Sequence, residues 1–256
     1  MHANPVSISL SSFGADTVKR RGQVAYLPLL AQAGACRVEW REELFEVWPE
    51  ADTLAKASAE LGLESLFSTP LELWREDGSL EPAVADRLDL AERIGAVALK
   101  VSLGHYRDTC DLHALQPLLG RRAALFVEND QTPQGGRLEP LRRFFERAAD
   151  LDLAPGMTFD IGNWYWQGES PLQAAQALGR WVQYVHCKAV TRRDDGRLVA
   201  VPPQASDLAA WRQLMVHFMP GVPRAIEYPL VDDDLLAYTR QQVQHLALLE
   251  AEVHHG

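Results

Sequence analysis

The sequence predicts an α/β fold, a single (β/α)8 TIM barrel spanning residues 1–256. Three observations predict it. Apolar strand-like runs alternate with helix-like runs through the whole chain, at roughly 30 residues per pair, the repeat of a barrel of about 250 residues. Glycines stand where the helix-like runs stop, at Gly34, Gly62, Gly95 and Gly120, as helix C-termini require. No Gly-x-Gly-x-x-Gly turn follows the first strand, where a doubly wound dinucleotide-binding sheet would carry one.

The elements follow in order. Val6–Leu10 alternates and reads as the first strand, with a Ser-Ser-Phe-Gly loop after it. Gln23–Ala33 has the Leu/Ala spacing of a helix. Arg37–Trp40 is a second strand with a polar end. Ala51–Leu61 is a helix, Leu63–Ser68 a strand, Glu81–Ile94 a helix and Ala96–Val101 a strand. Leu112–Leu119 is a short helix and Ala123–Glu128 a strand. A helix over Leu138–Leu151 precedes the strand Met157–Asp160. Pro171 opens the next helix, at a position that tolerates proline. Val182–Cys187 is a strand, Ser206 and Asp207 cap a helix carrying Trp211, Leu214 and Met215, and Arg224–Tyr228 is the last strand. Asp232–Val253 is the last helix. Gln131–Arg137 and Thr191–Ser206 read as long loops.

Bulk composition narrows the function. Hydrophobic residues make up 47% and charged residues 23%, the balance of a globular protein. The net charge of −10 disfavours nucleic acid and anionic membrane as partners, because phosphate contacts need a basic surface. Cys36, Cys110 and Cys187 have no regular spacing, which argues against a disulfide framework or a thiolate zinc site and for a reducing compartment. Met1–Pro5 lacks the layout of a signal peptide, and no apolar run approaches the ~18 residues of a membrane span. A cytoplasmic location is the expectation.

Four strands end in a metal-ligand residue: Glu128, Asp160, His186 and Glu227. In a barrel, the C-terminal ends of strands converge on one mouth. Carboxylates plus one imidazole suit one divalent ion of the Mn, Mg, Co or Zn type. A single carboxylate at a strand end is usually a loop solvator, and a lone strand histidine is usually packed. Four in succession are not.

On the segments FVEND, FDIGN, YVHCK and AIEY, the chain resembles the sugar isomerase/epimerase superfamily with the xylose-isomerase-like barrel. That group holds ketose 3-epimerases, hydroxypyruvate isomerase and inosose dehydratase. The resemblance implies that Glu128, Asp160, His186 and Glu227 bind one divalent metal, with Glu128 and Glu227 as the acid–base pair. It places Asn163, Arg192 and Gln134 at substrate-contact positions. Asn163 stands where the family often has histidine, and Gln134 where tagatose- and psicose-type epimerases have glutamate. More loosely, the chain resembles epimerase-like proteins encoded with 2-ketogluconate utilisation enzymes. Homodimers or homotetramers are the assemblies the resemblance implies.

The resemblance thus implies metal-dependent epimerisation or isomerisation of a ketose or keto sugar acid through an enediolate. Removing a proton beside a ketone creates charge that a Lewis acid must stabilise. Carboxylates on opposite faces then take and return the proton. Second candidates for the substrate are Glu39 and Lys100, which would also suit an ion pair with each other, and Lys188. Trp40, Trp74, Trp164 and Trp166 stand near the mouth, with Trp164 and Trp166 best placed to stack on a sugar. A metal-dependent dehydratase of a polyol ketone would use the same first step. An abasic-site endonuclease of this barrel group would need further histidines and a basic groove. A non-catalytic sugar-binding barrel would not need both glutamates.

Overall fold

The computed structural model describes residues 5–249. The expected end of the last helix at Val253 lies outside them, as do His2, His254 and His255. Eight parallel strands close into a barrel: β1 (Val6–Ser9), β2 (Arg37–Arg41), β3 (Glu64–Trp74), β4 (Ala96–Gly104), β5 (Ala124–Glu128), β6 (Gly156–Asp160), β7 (Val182–Cys187) and β10 (Arg224–Ile226). Their order around the barrel is that of the chain, and β10 pairs with β1 to close it. The helices are α1 (Ala15–Arg21), α2 (Leu27–Ala33), α3 (Ala51–Glu60), α4 (Ala83–Ile94), α5 (Leu138–Asp150), α6 (Pro171–Leu178), α7 (Ala205–Met215) and α8 (Leu235–Ala247). No helix among the described residues is long and apolar enough to cross a membrane.

Side chains alternate along each strand, so every second residue faces the lumen. The outward set includes Val38, Trp40, Leu99, Val101, Val127 and Phe159, which join the large buried cluster under the helices. The inward set begins with a separate apolar cluster of Leu66, Ala98, Phe126, Tyr184 and Ala225. Two residues further along four of these strands stand Lys100, Glu128, His186 and Glu227. The period that packs the lumen therefore also aims the charged residues into it.

The structure departs from the sequence reading in several places. The expected helix Gln23–Ala33 is a 3-10 turn over Gln23–Tyr26 followed by α2, and the preceding helix α1 was not anticipated. Leu112–Leu118 is 3-10 rather than α, with Pro117 inside it. The eighth barrel strand stops at Ile226, although the Glu227 amide still donates to the Cys187 carbonyl at 3.1 Å. The stretch Thr191–Ser206, read as a loop, holds most of an antiparallel hairpin, β8 (Ala189–Arg192) with β9 (Leu198–Val201). Its turn contains Asp195 and Gly196, the latter at φ +83°, and an Asp-Gly pair between apolar-rich segments is a hairpin signal.

A candidate metal centre at the barrel mouth

The ends of β5, β6, β7 and β10 bring Glu128, Asp160, His186 and Glu227 together. One ligand atom from each lies within 4.8 Å of all the others. His186 Nδ1 is the hub: Glu128 Oε1 is 2.8 Å away, Glu227 Oε2 3.0 Å and Asp160 Oδ2 3.8 Å. His186 and Asp160 have no exposed surface.

The strand ends are held by their neighbours. Asn129 bridges β5 to β6: its side-chain amide donates to the Asp160 carbonyl, and its oxygen accepts from the Asp160 amide, both at 2.9 Å. The Asn163 amide then donates to Asp160 Oδ1 at 2.9 Å. Gly162 keeps this turn close to β7, for a Cβ there would lie 2.8 Å from the Lys188 carbonyl oxygen. The carboxylates also have cationic partners. Lys100 donates to Glu128 Oε2. Arg41 Nη1 donates to Glu227 Oε1 at 2.6 Å. Lys188 Nζ lies 2.9 Å from Glu227 Oε2 and 2.7 Å from Asp160 Oδ2.

The charges shape one another. Burial would raise the Glu128 pKa, but Lys100 and His186 hold it down to about 2. Burial likewise opposes the ionised Glu227, yet His186 and Lys188 keep it well below the usual carboxylate range. Burial pushes Asp160 up, against the pull of Lys188. Burial alone would lower His186, but Glu227, Glu39 and Glu128 raise it well above an ordinary imidazole.

This donor set fits a divalent cation. Glu128 Oε1, Asp160 Oδ2 and His186 Nδ1 are buried and have no aligned hydrogen bond despite their short separations. Buried polar atoms crowded together in ion-pair contact without well-directed hydrogen bonds call for an explanation. Ligand bonds of about 2.1 Å put neighbouring donor atoms roughly 3.0–3.4 Å apart around one ion, and His186 Nδ1 lies 2.8–3.8 Å from the three carboxylates. Three carboxylates and an imidazole accept several ions.

The other candidates divide. Lys188 reaches the centre and also lines a cavity of about 330 Å³ above it, together with Ser11, Ser12, Gln131, Trp166 and Glu227. Lys100 faces the site, but its ion-pair partner is Glu128 and not Glu39. Glu39 is fully buried beside His186 Nε2, at 2.7 Å. Asn163 spends its side chain on the Asn129 carbonyl (2.9 Å) and on Gln131 (3.1 Å), supporting the loop. Gln134 donates to Glu72 at 2.9 Å. Arg192 is exposed on the hairpin, bonded to the Gly196 carbonyl at 2.6 Å, and lines a second cavity on whose wall Lys188 also lies. The stacking role expected of Trp164 is corrected: its indole is fully buried against Phe159, with ring centroids 5.4 Å apart. Trp40 and Trp74 are buried as well, which leaves Trp166 on the cavity wall. Two site residues were missed. Arg41 follows Glu39 by the inward period of two, a signal that was present. Asn129 carried no periodic signal.

No protein-family model matches the chain, and no curated protein sequence does. Solved structures do. D-psicose 3-epimerase from Clostridium cellulolyticum H10, solved with D-tagatose, is 9% identical with a TM-score of 0.67 over 96% of this chain and 99% of that one. The probable 3-DHS dehydratase AsbF from Bacillus anthracis is 12% identical, with a TM-score of 0.64 over 94% and 98%. The IolI protein, solved with a zinc atom, is 13% identical, with a TM-score of 0.64 over 96% of each chain. At these identities the likeness concerns the backbone, and what it establishes is that this chain folds as a (β/α)8 barrel of the xylose-isomerase-like kind.

Proposed function

We propose that the chain is a divalent-metal-dependent sugar isomerase, epimerising or isomerising a ketose or keto sugar acid. The observation that supports it best is the shared arrangement of two glutamates. Glu128 and Glu227 come from strands separated in the barrel by β6 and β7. Each turns one oxygen toward His186 Nδ1 and has the other held by a cation, Lys100 or Arg41. Two fixed carboxylates approaching one centre from different sides suit proton removal on one face of a substrate and return on the other.

In this reading Glu128, Asp160, His186 and Glu227 hold one ion of the Mn, Mg, Co or Zn type. When bound, the ion supplies Lewis-acid stabilisation of the negative charge that develops on the substrate's oxygens. Glu128, held in its charged form, removes the proton beside the carbonyl. Glu227, its oxygens oriented by the Lys188 ammonium and Arg41, returns a proton taken from solvent on the other side, and Glu128 releases to solvent the one it took, so the pair is reset. The cavity above has the size of a small-ligand site, and Trp166 offers a sugar its apolar face.

A dehydratase is the second reading, favoured by the same ammonium: Lys188 can protonate a departing hydroxide. Both readings are tested by incubating the metal-loaded protein with ketoses and keto sugar acids in D₂O. Deuterium at a carbon beside the carbonyl, with no change in composition, supports the isomerase. Loss of one water by mass spectrometry supports the dehydratase. No exchange with any substrate, at confirmed metal occupancy, counts against both.

A further inference from the structure

We propose that Glu39 is a positioning residue for the metal centre: it fixes the His186 ring so that Nδ1 is the ligand atom. The inference rests on the metal reading above and assigns Glu39 away from the substrate. It begins in the local sequence Arg37-Val38-Glu39-Trp40-Arg41. The strand period sends Arg37, Glu39 and Arg41 into the lumen and Val38 and Trp40 outward. Trp40 anchors the outer side, its indole donating to Ser65 Oγ at 3.0 Å.

Inside, Glu39 crosses the lumen to β7. Its Oε2 lies 2.7 Å from His186 Nε2 and accepts from the Tyr184 hydroxyl at 3.0 Å. Its Oε1 accepts from Arg41 Nη1 at 3.3 Å. Both oxygens are therefore engaged, and the side chain has no exposed surface. A group so enclosed has no face left for a sugar. Glu39 also sits on the Nε2 side of the ring, whereas Glu128, Asp160 and Glu227 gather on the Nδ1 side. It is not a fifth member of the donor set.

An ionised carboxylate only accepts hydrogen bonds. The proton that a neutral His186 keeps is thus held on Nε2, and the Nδ1 lone pair is left facing the three carboxylates. The partner on one ring nitrogen sets the state of the other, and such partners tune metal affinity. Tyr184 adds an orientational constraint, lying edge-on to the imidazole with centroids 5.2 Å apart and planes at 72°. A glutamine at position 39 would turn a donor toward Arg41, Tyr184 or His186, since all three sites around it now donate to it.

The test uses Zn²⁺, which is diamagnetic, on the full chain. Zinc affinity is measured by competition titration, and the His186 tautomer by long-range ¹H–¹⁵N correlation in ¹⁵N-histidine-labelled protein. The unmodified chain is expected to show Nε2–H with zinc bound through Nδ1. Glu39→Gln and Glu39→Ala are expected to weaken zinc binding about 10–100-fold and to move the Nε2–H proton resonance upfield from the position that a hydrogen bond to a carboxylate gives it. Tyr184→Phe should weaken it by less. Glu39→Gln, nearly isosteric, carries the test if the alanine variant does not fold. Unchanged zinc affinity in the Glu39 variants would overturn the inference alone, as would lost affinity with the Nε2–H resonance unmoved. Failure of the unmodified chain to bind zinc is a separate result, and it removes the metal reading itself.

Discussion

Phe126 and Glu128 stand two residues apart on β5 and face the same lumen, yet their surroundings share little. Phe126 belongs to an apolar floor with Leu66, Ala98, Tyr184 and Ala225. Its ring lies over Gly156, where a Cβ would come within 2.6 Å of it. Glu128 belongs to a charged layer one step nearer the mouth, beside Lys100 and His186. The floor gains from burial and close packing, which are insensitive to charge. The charged layer gains only if each charge has its partner, because an uncompensated buried charge is costly. The floor is therefore a stability device, and the layer above it stakes stability on holding a reactive arrangement.

Glu128→Gln and Glu227→Gln should break the comparison most sharply. Each is expected to lower turnover by about 10²–10⁴-fold, the usual contribution of a general acid or base, measured as kcat on whichever substrate exchanges deuterium. Full activity in both variants would remove the acid–base assignment. Stability should separate the two. Glu128→Gln leaves Lys100 buried without its partner and is expected to cost about 3 kcal/mol in urea unfolding. Adding Lys100→Met should recover most of that loss without restoring turnover. Glu227→Gln should cost less, because Arg41 keeps Glu39 and Glu43, and Lys188 keeps Asp160.

On the floor, Phe126→Ala should cost about 3–5 kcal/mol, the sum of lost transfer energy and a cavity that the closed barrel cannot collapse. The same urea titration measures it. A loss below about 1 kcal/mol would show that the lumen relaxes and that the layer above does not rest on a rigid base.

The comparison also explains how much was legible in the sequence. The convergence of Glu128, Asp160, His186 and Glu227 could be read because strand periodicity fixes which residues point inward, and a barrel gathers strand ends in order. Arg41 obeys the same rule, but the sequence reading ends strand two at Trp40, one residue short of it. Pairing was harder. Lys100 meets Glu128 because β4 and β5 are neighbours, with Lys100 opposite Phe126 and Ser102 opposite Glu128. Glu39 reaches His186 instead, across the lumen, a contact between residues 147 apart that no local pattern records. Loops carry no period at all. Trp164 and Trp166 therefore looked equivalent, although the 3-10 turn over Asn163–Gln167 buries the first and leaves the second on the cavity wall.

The smallest expected effect is one of pH, and it separates the two layers without substituting Glu128 or Glu227. In the metal-free protein the His186 pKa is raised above its unfolded value of about 6.5, so its contribution to stability is complete below that pH. Between that pH and the raised folded pKa, the native state holds a proton that the unfolded state has released. Stability should then fall as pH rises, by up to about 1.4 kcal/mol per unit. Glu128 has the opposite sign: with its folded pKa near 2, its contribution is present above the ordinary carboxylate pKa and fades as pH falls toward 2. Urea midpoints between pH 6.5 and 8 should decline in the native sequence and in Phe126→Ala, at the same slope, because the floor binds no proton. The decline should disappear in His186→Gln. Metal affinity should move the other way over the same range, rising with pH, because the imidazolium must give up its Nδ1 proton before that nitrogen can bind a cation. A flat stability profile in the native sequence would mean that His186 is neutral in the folded barrel, and that the three carboxylates around it draw their compensation from Lys100, Lys188 and Arg41 alone.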